Sequence, residues 1–216
     1  MFFPYRDDNP RVLVPYITYL LLFINCSFFL IQTLSPKELT MVFAIIPKMS
    51  SLDFSHFVLS LFTSMFLHGS LIHLIGNMLY LWIFADNVEG VLGHWKFAIF
   101  YVSAGLSAGI IQSLVDLTST IPIVGASGAI AGVLAAYMIF FPNAKVHTLI
   151  FIFFYFTTVR IPALFLLGFW LIMQISNGLS VLGVDTTGGV AWFAHIGGFV
   201  TGLILILLLK KVRTNL

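Results

Sequence analysis

Charge is what this 216-residue sequence has least of: Asp, Glu, Lys and Arg together make up 8%, against roughly a quarter in a typical soluble domain. The remainder is 60% hydrophobic, with 23 Phe and a mean hydropathy of +1.06. A soluble core of this size cannot hide that much apolar surface, so the chain reads as an integral membrane protein. The ten Lys and Arg form no basic tract and the net charge is only +2, which leaves no argument for a nucleic-acid partner. Cys26 stands alone, so an intrachain disulfide is excluded. His-Glu-x-x-His does not occur, which removes the zincin type of metal site. His68 and His73, five apart, do not share a helix face for a common metal, and no cofactor is expected. The soluble-hydrolase elbow Gly-x-Ser-x-Gly is broken at Ala129.

What is present is a series of apolar runs. A membrane span needs about 20 residues, and the runs predict spans near 15–34, 70–89, 94–115, 124–141, 162–179 and 190–209. The fold class is therefore an all-α, polytopic six-helix bundle. It divides into a short N-terminus 1–14, a membrane domain 15–209 with a long outer loop 35–69, and a basic tail 210–216. The first run, preceded by Arg6, Asp7, Asp8 and Arg11, reads as its own insertion signal. Phe54–Phe66 is apolar but too short to cross and is predicted to lie along the interface. Val146–Phe156 is predicted to do the same, with Pro162 opening the fifth helix. Lys and Arg accumulate on the cytoplasmic side. With both termini inside, Arg6, Arg11, Lys96, Lys145, Arg160, Lys210, Lys211 and Arg213 are cytoplasmic and only Lys37 and Lys48 are outside. Eight against two sets the orientation.

Spans two, four and six then run from outside to inside. At about 1.5 Å of rise per residue, Ser127 lies roughly 6 Å into span four and His195 roughly 9 Å into span six, while His73 and Asn77 lie roughly 6–12 Å into span two. Four polar residues from three helices reach one depth. His73 and Asn77, four apart, share a face, and an unpaired amide in apolar surroundings costs several kcal/mol. Gly128 and Gly132 follow Ser127 as a small-xxx-small face, and Gly198 and Gly202 follow His195 as another; such faces let helices approach closely. A serine beside a histidine can be a nucleophile beside its base. A lone transmembrane serine more often bonds its own backbone, and a lone histidine is often only a buried polar group. The agreement of depth and spacing is what favours catalysis.

At these residues the chain resembles the rhomboid family of intramembrane serine proteases. The resemblance runs from span two to span six, about 145 residues long by the span positions above. It consists of His73-x-x-x-Asn77, Gly125-Ala126-Ser127-Gly128, and Ala194-His195-Ile196-Gly197-Gly198 with Gly202. Arg160-Ile161-Pro162-Ala163 and the region Gly168–Gln174 also look like bacterial members. The resemblance implies that Ser127 is the nucleophile and His195 its general base. It also implies an oxyanion site built from His73, Asn77 and the backbone N–H of Ser127, with Gly125 helping to stabilise the transition state. It implies transmembrane protein substrates cut near the outer face, and a bacterial inner membrane as the location. Two departures stand out. The Trp-Arg pair many members carry in the first outer loop is absent from 35–69, and Ala131 replaces an aromatic that supports the base. Phe193 or Tyr101 is the replacement the sequence offers. A mobile loop at 180–189, with Gly183, Gly188 and Gly189, would admit water.

Two other classes compete. A non-catalytic rhomboid-like factor that binds membrane proteins lacks the serine or the histidine, and both are here. A transporter expects polar groups through the whole membrane depth, whereas these cluster near one face. Substrate identity and oligomeric state leave no mark in the sequence.

Overall fold

The computed structural model describes residues 2–35, 37–152, 155–183 and 189–214. In chain order the elements are strand β1 (Phe2–Asp7), helices α1 (Tyr16–Leu34), α2 (Lys37–Phe43), α3 (Met49–Leu52) and α4 (Phe54–Thr63), and a 3-10 turn at Ser64–Phe66. Helices α5 (Leu71–Leu92), α6 (His94–Val115) and α7 (Ser127–Phe140) follow, then strands β2 (Lys145–Ile152) and β3 (Tyr155–Pro162), and helices α8 (Ala163–Ser180) and α9 (Trp192–Thr214). Among the described residues α1, α5, α6, α8 and α9 are each long and apolar enough to cross a membrane. The chain is a polytopic helical membrane protein.

The fourth predicted span is the exception. α7 has 14 residues, about 21 Å at 1.5 Å per residue, against about 30 Å of hydrocarbon. It is short because Gly125 takes φ +125, a conformation that ends helical continuity, and donates its N–H to the Ser64 carbonyl at 2.9 Å. Val124 to Ala126, predicted as helix, instead form the approach to it. A short helix with irregular backbone at its mouth is tolerated where protein rather than lipid surrounds it. α7 packs against α5, α6 and α9, and every residue from Gly128 to Tyr137 is buried.

A three-stranded antiparallel sheet, order β1-β2-β3, sits at the end of the bundle opposite the start of α7. Phe3 pairs with Leu149, and Val146 with Ile161. Residues 146–152 and 155–156 of the stretch expected to lie along the interface belong to strands β2 and β3, and the N-terminal arm supplies the third strand. β-branched and aromatic residues crowd both β2 and β3, which suits a strand better than a helix. Pro162 does precede α8, the fifth predicted span, as its N-cap.

Polar contacts tie that end together. Glu89, wholly buried, accepts from the backbone N–H groups of Ile17 and Thr18 at 3.0 and 2.8 Å and from the Thr18 hydroxyl at 2.7 Å. Pro15 gives α1 no side-chain cap, so α5 caps α1 in its place. His94 Nδ1 lies 2.5 Å from the same carboxylate. β1 is held by the Tyr137 hydroxyl donating to Asp7, by Asn87 Nδ2 donating to Asp7 at 3.1 Å, and by Asp8 against His147 at 2.6 Å. Arg11 pairs with Asp86 at 2.7 Å and lies over the Trp82 ring. Burial, reinforced by the neighbouring Asp86 charge, raises the Asp7 carboxyl above its ordinary value, while the hydrogen bond from His147 lowers that of Asp8.

Candidate active site

Three helix N-termini converge at the other end. Ser70 caps α5 by accepting the His73 N–H at 3.1 Å, which starts the helix at Leu71 and places His73 and Asn77, one turn apart, on one face. α7 starts at Ser127 itself. α9 starts at Trp192, so His195 lies in its first turn. There Gln112 of α6 reaches across, its Oε1 accepting the Ala194 N–H at 3.0 Å.

His195 Nε2 lies 2.8 Å from Ser127 Oγ. On the far side of the ring, Nδ1 lies 2.7 Å from Gln174 Oε1 of α8. Trp170 lies against the imidazole at 5.8 Å between ring centroids, tilted 34°, and Trp192 meets it edge-on at 6.3 Å. These rings take the place assigned above to Phe193 or Tyr101; Tyr101 is instead enclosed beside Phe97. Sequence reasoning missed Gln174, Trp170, Trp192 and Gln112. The available signal was the cost of an isolated amide in an apolar span, which applied to both glutamines.

His73 and Asn77 border Gly125. A Cβ built there would stand 2.8 Å from His73 Cε1 and Nε2 and 3.6 Å from Asn77 Nδ2. The Gly125 N–H is occupied by Ser64, so what Gly125 offers the site is space. Asn77 Nδ2 is buried with no hydrogen-bond partner among the described residues. Native proteins rarely leave such a donor idle, and this one lies beside Gly125, two residues before Ser127. A cavity of about 20 Å³, lined by Ser64, Gly125, Ser127, Ala191 and Ala194 among others, has room for about one water molecule.

The approach of α7 to α9 rests on glycine. A Cβ on Gly198 would overlap the Gly128 carbonyl, and one on Gly202 would lie 2.6 Å from Gly132 Cα. Toward α6, a Cβ on Gly128 would collide with Ala108, and one on Gly132 would lie 2.6 Å from Ala104 Cβ. Helix backbones therefore meet directly behind Ser127 and His195.

The long connection 35–69 is anchored without a Trp-Arg pair. Ile45 and Ile123 form an antiparallel bridge, Lys48 N–H donates to Ser119, and Gln32 of α1 exchanges hydrogen bonds with the backbone of His68 at 2.8 and 3.1 Å. Phe54–Phe66 is helical and short of spanning length. His68 is buried with both ring nitrogens unpartnered among the described residues, and burial, aided by the nearby His73, pushes its imidazole down to about 4. Of the 180–189 loop, Gly188 lies outside the described residues, and so do residues 215–216 of the tail. No group of three or more metal-ligating side chains occurs among the described residues.

Comparisons with known proteins agree with the fold. Rhomboid protein 1, mitochondrial, of Saccharomyces cerevisiae is 29% identical over 94% of this chain and 54% of its own length. RHOMBOID-like protein 4 of Arabidopsis thaliana is 36% identical over 64% of the chain and 31% of its own. Presenilin-associated rhomboid-like protein, mitochondrial, of Homo sapiens is 31% identical over 65% of the chain and 35% of its own. The chain thus spans about half or less of each relative's length. None of the three is bacterial, so they lend no support to the bacterial inner membrane expected from the sequence. The family model of the Rhomboid domain matches residues 55–212, well over half of the chain, and the chain belongs to the rhomboid family.

Proposed function

We propose that this protein is an intramembrane serine endopeptidase that cuts transmembrane proteins near the end of the bundle where α7 begins. The observation that carries the reading is the 2.8 Å hydrogen bond between Ser127 Oγ and His195 Nε2, made between two helices whose backbones touch through glycine. His195 Nε2 takes the Ser127 proton as Oγ attacks the scissile carbonyl. The carbonyl oxygen gains the negative charge and receives hydrogen bonds from Asn77 Nδ2, His73 and the Ser127 N–H. As the first residue of α7, Ser127 has no carbonyl one turn back for its N–H, and the helix N-terminus favours an anion. The intermediate collapses, the C–N bond breaks, and His195 returns the proton to the leaving amine. Water, deprotonated by the same imidazole, then attacks the acyl carbon; the bond to Ser127 Oγ breaks and His195 returns the proton to Oγ.

The charge distribution supports an orientation with the site end outside and both termini in the cytoplasm. Transmembrane proteins and the bilayer are the proposed partners. A fluorophosphonate probe tests the reading. Labelling of the wild type, lost in Ser127→Ala and strongly slowed in His195→Ala, is expected. Equal labelling of Ser127→Ala sinks it, and intact cellular function of a His195→Ala variant would instead favour a binding factor without chemistry.

A further inference from the structure

We infer that Gln174 is a positioning residue for His195, and that α8 therefore sets the tautomer of the base. The inference rests on the Ser127–His195 chemistry proposed above.

α8 turns a narrow buried stripe toward the bundle: Ala163, Leu167, Gln174 and Gly178. Three of the four are apolar or small, and the fourth carries an amide. An amide in such a stripe is costly unless both of its ends are used, and both are. Gln174 Nε2 donates to the Trp170 carbonyl one turn back at 3.2 Å, while Oε1 lies 2.7 Å from His195 Nδ1. Reversing the amide would set oxygen against the Trp170 carbonyl oxygen, two acceptors face to face. The orientation is therefore fixed by α8 itself, and it presents a pure acceptor to Nδ1.

An acceptor there requires hydrogen on Nδ1. A neutral imidazole has only one N–H, so Nε2 is left with its lone pair, and Nε2 is the atom 2.8 Å from Ser127 Oγ. In the opposite tautomer Nδ1 and Oε1 would both be bare, and Nε2 could not accept the serine proton. The side chain is neutral, so it selects and steers the ring without lending the charge a carboxylate would. Trp170, on the same face of α8 and four residues earlier, closes against the ring and limits its rotation. The fold thus gives His195 the orienting group that its own helix lacks.

Three variants of the full-length protein, reconstituted in liposomes with a single-span reporter, test this. Gln174→Leu removes the acceptor and is expected to lower kcat about 10–100-fold with KM within about twofold. That is far less than the ~10⁴ lost when a charged orienter is removed. Gln174→Met does the same with a longer, more adaptable chain, so a folding defect in one variant does not decide the outcome. Gln174→Glu restores the acceptor with a charge that stabilises the imidazolium. It should recover most of the kcat lost in Gln174→Leu and move the acid limb of the rate profile to higher pH. His73, the other titratable group whose charge acts on His195, is present in all three variants. A packing role predicts neither the rescue nor the shift. Folded Leu and Met variants with kcat within twofold of wild type would overturn the inference, as would a folded Glu variant with no rescue and an unmoved limb. Fluorophosphonate labelling separates this failure from that of the underlying reading: loss of Ser127-dependent labelling in the wild type refutes the dyad, whereas intact labelling beside indifferent Gln174 variants refutes only the positioning.

Discussion

Replacing Asn77 with Leu should make the protein slower and more stable at once. In the resting structure Asn77 Nδ2 is buried and bonds to none of the described residues, a state that costs about 1–3 kcal/mol for an amide donor. Leucine keeps the branching at Cγ and discards the orphan, so folding should gain up to about that amount, less the strain of a slightly larger side chain. For a chain of this size each kcal/mol corresponds to about 2–4 °C. Catalysis moves the other way. If this donor is reserved for the oxyanion, its loss costs about 10²–10³ in kcat, or about 3–4 kcal/mol of transition-state stabilisation. Both quantities come from the same purified sample: thermal unfolding in detergent, and cleavage of a single-span reporter under saturating conditions. A raised midpoint with a two- to three-decade loss of kcat is the expected pair. A lowered midpoint beside near-normal kcat would refute the reasoning, because it would mean that Asn77 is a packing residue with an unseen partner.

Gly198→Ala should destabilise by at least about 1–3 kcal/mol, since its Cβ has no room beside the Gly128 carbonyl; thermal unfolding measures this, and Gly168→Ala, where a Cβ meets nothing, is the control. Glu89→Ala leaves two α1 amides and His94 without their acceptor and should cost about 3–5 kcal/mol, read by the same melt. His68 titrates in the folded protein at about 4 against an ordinary 6.5, so the neutral form is the one that folding favours. The stability it contributes is complete above pH 6.5 and is lost as pH falls through that interval. His68→Phe, which preserves the ring packing against Phe29 and His73, should flatten the acid side of a melt-versus-pH curve.

The long helices were readable because hydropathy is a local signal: α1, α5, α6, α8 and α9 begin within two residues of the predicted spans. Where the reading missed, the deciding partner was distant in sequence. β1 is six residues whose pairing with β2 closes a loop of about 140 residues, and nothing in Phe2–Asp7 announces it. The start of α7 was set by a hydrogen bond from Gly125 to Ser64 rather than by the polarity of Val124 to Ala126, which is as apolar as the helix that follows. At the candidate site, the residues whose chemistry is written in their type, Ser127, His195, His73 and Asn77, were legible. Gln174 was not, because a single amide in an 18-residue helix does not reveal which neighbour it faces until α8 and α9 are docked. Ala131 announced a missing support for the base, and the replacement came from another helix.

The brevity of α7 has a consequence for how a substrate is selected. On the function proposed above, a span of about 21 Å inside about 30 Å of hydrocarbon would set Ser127 below the membrane surface by a fixed offset, and the glycine contacts with α9 would keep that offset from varying. Such a site would act as a ruler. It would measure where along a substrate's own span the helix gives way, counted from the water, and would be indifferent to much of the surrounding sequence. A reporter whose helix-breaking residue is walked inward one position at a time should therefore be cut best at one depth, and lengthening α7 by a turn should move that optimum outward.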